Sequence, residues 1–202
     1  LATWLAIDPG RTAPVGGPEP CAAWGTYALR ARVMLIRDGD AVYEPVLEPL
    51  TFGQWIADGH ELGYPTADDL AYHLTTLFPP VRPRGWLELR MLDSLPDRWW
   101  PVAAAVVTAL LDDEEAATSA ALATAGTGDL WIEAAHDGPS DPRLGAAGRA
   151  CFAAAQEAFG RIGIDGVTQA VTAEYIDRYV DQGRCPADDL LDEMARGELV
   201  PA

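Results

Sequence analysis

HLTTLFPPVRPRGWLELRMLD, residues 73–93, is the stretch whose reading sets the fold class. From Gly85 to Asp93 the run GWLELRMLD alternates. It places Trp86, Glu88, Arg90 and Leu92 on one face and Leu87, Leu89 and Met91 on the other, the period of a strand. Ahead of it the period changes. Leu70, His73, Leu74 and Leu77 recur at helical spacing, and Pro79-Pro80 stops that helix. Its start is marked by Thr66, with Asp69 three residues on, a near capping box. One face of the strand is an ordinary core face. The other carries Glu88 and Arg90, whose side chains point the same way ~6–7 Å apart.

Working outward, TAPVGGPEPC (residues 12–21) is rich in Pro and Gly and reads as a loop. RVMLIR (32–37) is a short apolar strand, Asp38-Gly39 a hairpin-type turn, and AVYEPVLEPL (41–50) the partner strand, which Pro45 pushes to an edge. Thr51 caps a short helix through Asp58, and Gly59 ends it. Beyond Asp97 the pattern is helical: Trp99 to Leu111, Glu114 to Ala125, Leu144 to Arg161, Val167 to Asp181 and Ala187 to Arg196. Strands in the first half and helices in the second give an α+β fold and exclude alternating βαβ units. The expected organisation is a sheet-bearing part, 1–95, and a helical part, 96–202. No internal repeat is present.

The 202 residues suffice for one good-sized domain, and 49% apolar with 22% charged residues is ordinary for a globular protein. Fourteen basic residues, all arginine, face 31 acidic ones, for a net charge of -17. Such a chain is repelled by a polyphosphate backbone, so nucleic acid is not an expected partner. Nor is a membrane. The richest apolar run, Pro101 to Leu111, is short of the ~18 residues a span needs, and LATWLAIDPGR carries no basic leader region. Cys21, Cys151 and Cys185 share no metal-ligand spacing and read as thiols of a reducing cytoplasm.

Chemistry concentrates in Arg82, Arg84, Glu88 and Arg90. Glu88 and Arg90 form either a local ion pair on an exposed strand or a working pair in a lined cavity, with Trp86 and Leu92 as apolar walls. In a cavity, a carboxylate is a hard ligand for Mg²⁺, and an arginine beside it can fork onto phosphoryl oxygens. Arg82, just after the Pro-Pro turn, either meets a substrate carboxylate or phosphate or is a solvated loop arginine. His73, on an apolar helical face, reads as a hydrogen-bonded structural histidine before a catalytic one. Glu174, Tyr175 and Asp177 fit an ordinary exposed helix face.

FPPVRPRGWLELRMLDS, preceded by HLTT, resembles the core of the glutamate–cysteine ligases of the plant and actinobacterial type. WLAIDPGRT, WGTYALRARVMLIR, TFGQWIADG, PTADDLAYHL and CPADDLLDEMARG extend the resemblance over nearly the whole chain. It is greatest to the actinobacterial members that make γ-glutamylcysteine for ergothioneine biosynthesis. The resemblance implies the antiparallel sheet portion of a glutamine-synthetase-like fold, followed by a helical region. It implies that the chain is the C-terminal half of one catalytic domain, inactive without an earlier half that supplies a Glu-x-Glu metal pair. The implied substrates are glutamate, cysteine and ATP, with Mg²⁺, and the reaction passes through a γ-glutamyl phosphate. Carried over residue by residue, Glu88 is a Mg²⁺ ligand and Arg90 stabilises the transferring phosphoryl group. Arg11 and Trp4 border the substrate pocket. The competing readings are another carboxylate–amine ligase of the same fold and a non-catalytic interaction domain.

Overall fold

The structure is a computed structural model that describes residues 8–38 and 42–198. Trp4, and the Gly39 of the expected hairpin turn, lie outside the described residues. The chain divides into two compact units, Leu1–Leu92 and Asp93–Ala202.

In the first unit, α1 (Pro9–Thr12) is capped by Asp8, whose side chain accepts from the Gly10 N–H. The second helix, α2 (Pro20–Arg30), begins in sequence read above as loop. Its start signal is unusual: Glu19 accepts from the N–H groups of Cys21 and Ala22, a task usually given to Ser, Thr, Asp or Asn. Pro20 at the first helical position, where a missing N–H costs nothing, completes the start.

β1 (Leu35–Asp38) pairs antiparallel with β2 (Val42–Pro45), Leu35 opposite Pro45. α3 (Phe52–Asp58) and α4 (Ala67–Thr75) begin where the sequence says they should. Thr51 with Gln54, and Thr66 with Asp69, each make both halves of a capping box. Gly59, at φ 78°, ends α3 in a conformation that favours glycine. β3 (Val81–Pro83) and β4 (Leu87–Leu89) then form a second antiparallel ribbon in which Arg82 lies directly opposite Glu88.

Among the described residues, the sheet portion is thus two separate two-stranded ribbons, and helices predominate. Proline explains the brevity. Pro45 and Pro83 sit at strand ends and Pro79-Pro80 immediately precedes β3, so ladder donors are missing at those positions. The expected strand Gly85–Asp93 is correspondingly reduced to Leu87–Leu89.

Two small apolar clusters, Val33–Ile36–Phe52–Trp55 and Ala28–Ala31–Leu77, hold this unit together. His73 joins them. It is buried, its ring stacks on Phe52 at 4.7 Å, and its Nε2 donates to the Ala28 carbonyl at 2.9 Å. Burial, opposed in part by that hydrogen bond, lowers its pKa and keeps the imidazole neutral.

The second unit is helical. It runs through α5 (Trp100–Asp112), α6 (Glu114–Thr124), α7 (Trp131–His136), α8 (Pro142–Ile162), α9 (Gly166–Tyr175) and α10 (Pro186–Ala195). A π-helical turn, Ile176–Val180, follows α9. Asp113, Asp141 and Asp165 cap α6, α8 and α9. The core is built from alanines of α5 and α8 with Val102, Val106 and Phe159, so the helices can approach closely. Trp99 meets Tyr175 and Tyr179 edge-on beside it, so Tyr175 belongs to this packing and not to an exposed face. No described helix is long and apolar enough to cross a membrane.

Candidate functional site

The cross-strand register of β3 and β4 sets Arg82 against Glu88, and the turn between them needs Gly85 at φ 81°. Arg82 is 5% exposed. Its Nε and Nη2 both reach Glu88 Oε2 at 2.7 Å. Its Nη1 donates to the carbonyls of Leu77 (2.8 Å) and Thr75 (3.3 Å), at the end of α4. Arg82 is therefore neither solvated nor in a loop. A buried guanidinium needs a countercharge and acceptors, and the site supplies both.

Arg90 lies one residue past the end of β4, where its N–H donates to the Pro80 carbonyl at 2.8 Å. Its Nη1 donates to Glu88 Oε1 at 2.9 Å. The two arginines thus take different oxygens of one carboxylate. Beneath them lies Phe78, with the guanidinium carbons of Arg90 and Arg82 at 5.0 and 5.6 Å from its ring centre. The hydrogen bond from Arg82, more than any other influence, holds the Glu88 carboxyl below the usual carboxylate range, with Arg90 assisting.

The apolar walls expected from Trp86 and Leu92 are not there: these residues are 69% and 50% exposed. Their alternation with Glu88 and Arg90 is the period of the backbone and not the lining of a cavity. The side chains of Glu88 and Arg90 keep 30% and 28% of their surface in contact with solvent, so the pair is partly open.

Arg11 is 4% exposed and fully engaged. Its Nε pairs with Asp8 at 2.9 Å, Nη1 donates to Thr76 Oγ1 at 2.7 Å and to the Thr76 carbonyl at 3.2 Å, and Nη2 meets the Arg32 carbonyl. It also lines a groove of about 380 Å³ with Thr12, Arg32, Glu48 and Phe78. Phe78 is therefore common to this groove and to the Arg82–Glu88–Arg90 cluster. The sequence alone does not single it out. Its signal was a single aromatic residue placed between a helix end and two prolines. Tyr27 sits nearby in charge terms: burial first, then the Asp8 carboxylate, pushes its phenol up to about 12, and its hydroxyl has no hydrogen-bond partner among the described residues.

Whether the cluster suits a magnesium ion depends on donor count. Among the described residues, no group of three or more His, Cys, Asp or Glu side chains is placed to hold a metal. Glu88 Oε2 is taken by two nitrogens of Arg82, while Oε1 accepts from Arg90 and retains about one further acceptor position. Magnesium asks for about six oxygens in near-octahedral array. Glu88 fits as one ligand of a site completed by other groups, and not as a site by itself. Cys21, Cys151 and Cys185 are free thiols.

Residues 5–202 match the model of glutamate–cysteine ligase family 2 (GCS2). The chain is 44% identical over 214 residues to glutamate–cysteine ligase EgtA of Mycolicibacterium smegmatis, covering 97% of this chain and 48% of that protein. It is 39% identical over 206 residues to glutamate–cysteine ligase EgtA of Mycobacterium tuberculosis, covering 98% of this chain and 46% of the relative. The chain spans about half the length of the curated relatives it matches.

Proposed function

The chain belongs to glutamate–cysteine ligase family 2, and from that premise we propose that it forms the C-terminal half of an ATP-dependent ligase joining the γ-carboxylate of glutamate to the amine of cysteine. The product, γ-glutamylcysteine, would serve ergothioneine biosynthesis, as the resemblance to the EgtA relatives suggests. In this reading both units belong to one catalytic domain, and the ribbon β3–β4 is part of a glutamine-synthetase-like sheet.

The observation that carries the proposal is the partly open Glu88–Arg90 pair, held on one side by a buried arginine. A carboxylate is a poor acyl donor, and ATP supplies the phosphoryl group that makes glutamate's γ-carboxylate reactive. Most of the remaining work is positioning and charge neutralisation. Arg90 keeps donors free of Glu88 and reaches solvent, so it can turn to charge that develops on a phosphoryl group. Glu88 offers the remaining acceptor position of Oε1 to magnesium. Arg11 borders the substrate pocket, a role the family resemblance alone extends to Trp4. The groove that Arg11 shares with Phe78 is its place in this reading.

The test uses the complete enzyme in which this chain is the second half. Arg90→Lys keeps the charge and loses the planar fork, so kcat falls on the order of 10²-fold while KM for glutamate stays nearly unchanged. Glu88→Gln lowers turnover, and added magnesium recovers part of it. The 202-residue chain alone releases no ADP from ATP in the presence of glutamate and cysteine. Near-normal turnover in folded Arg90→Lys would reduce the pair to a structural ion pair.

A further inference from the structure

Sequence left Arg82 either as a residue that meets a substrate carboxylate or phosphate or as a solvated loop arginine. Its geometry points elsewhere. Four N–H···O contacts engage all three of its nitrogens, and its guanidinium is buried. Two of those contacts fall on Glu88 Oε2, and two on main-chain carbonyls at the end of α4. A guanidinium so occupied reaches a substrate only by leaving buried acceptors unpaired, which is unfavourable.

The contrast with Arg90 is internal to the cluster. Arg90 makes one contact with Glu88, on the opposite oxygen, and more than a quarter of its side chain is exposed. Oε2 of Glu88 is therefore the anchored oxygen, and Oε1 the one whose partner can move away. Phe78, under both guanidinium planes, limits Arg82 further by occupying the space beside it.

We propose that Arg82 is a positioning residue, which ties the Glu88 carboxylate to the end of α4 and makes no contact with substrate. The proposal rests on the reading of Glu88 and Arg90 as the working pair, and adds to it the device that fixes their orientation. A carboxylate on a three-residue strand at an open ribbon has several rotamers available. A hydrogen bond and an ion-pair contact of the same length, both to one oxygen from a buried, planar donor, leave one of them. Supports of this kind behind a working side chain are worth on the order of 10- to 100-fold in activity.

The experiment is Arg82→Lys in the complete enzyme, with kcat and KM measured separately. Lysine retains the charge and cannot reach Glu88 Oε2 and two carbonyls together. A positioning role predicts kcat lower on the order of 10- to 100-fold, with KM for glutamate and for ATP within about twofold of the parent. A substrate contact predicts the reverse, a KM raised tenfold or more with kcat nearly intact, and that result overturns the proposal. So does an unchanged kcat in a variant whose circular dichroism and thermal transition match the parent. Loss of the fold in Arg82→Lys is covered by a measurement on the unmodified enzyme. The ¹⁵N–¹H resonance of the Arg82 Nε should stay in place when glutamate and an ATP analogue are added, and a large shift counts against the proposal. Arg90→Lys separates the two levels. If it is impaired and Arg82→Lys is not, only the positioning role fails. If Arg90→Lys has normal turnover, the working pair itself was misassigned.

Discussion

In the first unit the buried side chains that tie distant stretches of chain together are arginines and a histidine. In the second they are alanines and aromatic rings. Arg11 bonds to groups 65 residues away in sequence and Arg82 fastens β3 to β4 and to the end of α4. The apolar clusters around them are small. From Asp93 onward one continuous apolar core runs through α5, α6 and α8 and on to Tyr179. Charge divides the same way. Seven arginines face 11 acidic residues up to Leu92 (net −4), and seven face 20 beyond it (net −13). Polar cross-links are directional and fail when one partner is lost. Apolar packing is non-directional and fails in proportion to the volume removed. The candidate site lies on the unit held by directional links, so its working residues and its structural residues are neighbours in one network.

The sharpest way to test that contrast is to remove one residue of each kind. Phe159→Ala empties the middle of the second core and should lower the stability of that unit by about 3–5 kcal/mol. Arg11→Ala leaves the Thr76 and Arg32 carbonyls without their donor, and should lower the stability of the first unit by about 3 kcal/mol. Amide hydrogen exchange reads the units separately. Each variant should release the amides of its own unit first. Equal loss of protection in both units from either variant would dissolve the distinction.

A smaller and reversible effect comes from pH. Burial, above all, depresses the pKa of His73 in the folded chain, with the Arg11 charge acting the same way. An unfolded histidine titrates near 6.5, so the unfolded state binds the proton first as pH falls. The contribution of His73 is complete above about pH 6.5 and is lost progressively below it. In the second unit, Asp113 is held at about 2 against an ordinary 3.8, chiefly by its hydrogen bonds from Arg161. Its contribution is complete above about 3.8 and disappears only as pH falls toward 2. Exchange at pH 7 and pH 5 should therefore weaken protection in α4 and leave α6 and α8 unchanged. His73→Gln should remove the difference. A loss shared by α8 over the same interval would put the pH sensitivity somewhere else.

The same contrast decides what was legible in the sequence. The helices of the second unit follow from apolar periodicity and from Asp113, Asp141 and Asp165 at their starts. α3 and α4 follow from capping boxes, which are local. The helix α2 was missed because its cap is a glutamate and its entry is rich in Pro and Gly. β4 was visible as alternation, but its partner β3 was not read as a strand, and the shortness of β4 was hidden because proline removes ladder donors on the partner strand and not on the strand being read. Around the candidate site, the nearness of Arg82, Glu88 and Arg90 was legible from spacing. The burial of Arg82, the support from Phe78 and the exposure of Trp86 depend on how the ribbon meets α4, which no local pattern encodes. The four contacts of Arg11 reach Asp8, Arg32 and Thr76, and short-range reading has no access to the last.

The smallest effect is expected where the two units offer the same chemistry in different surroundings. Asp113 takes two hydrogen bonds of 2.7 Å from Arg161, one to each oxygen, while Oδ1 also caps α6 through the Ala116 N–H at 2.9 Å. Glu88 likewise accepts from arginines on both oxygens. The difference is the partner. The Arg161 side chain is 43% exposed, so water can solvate it when its carboxylate is neutralised. Arg82 is buried and has no such recourse. Asp113→Asn keeps a side-chain oxygen for the cap and loses the charge and one of the two bonds from Arg161. It should lower Tm by about 3–5 °C, part of which disappears in 0.5 M salt as screening weakens the parent's ion pair. Asp113→Ala loses the cap as well and should fall further, with the additional loss insensitive to salt. Glu88→Gln, chemically the same change, should cost more than Asp113→Asn and respond little to salt, because it strands a buried guanidinium. If the two neutralisations lower Tm equally and show equal salt dependence, burial of the arginine is not what separates the units. The directional links of the first unit would then behave as ordinary surface ion pairs.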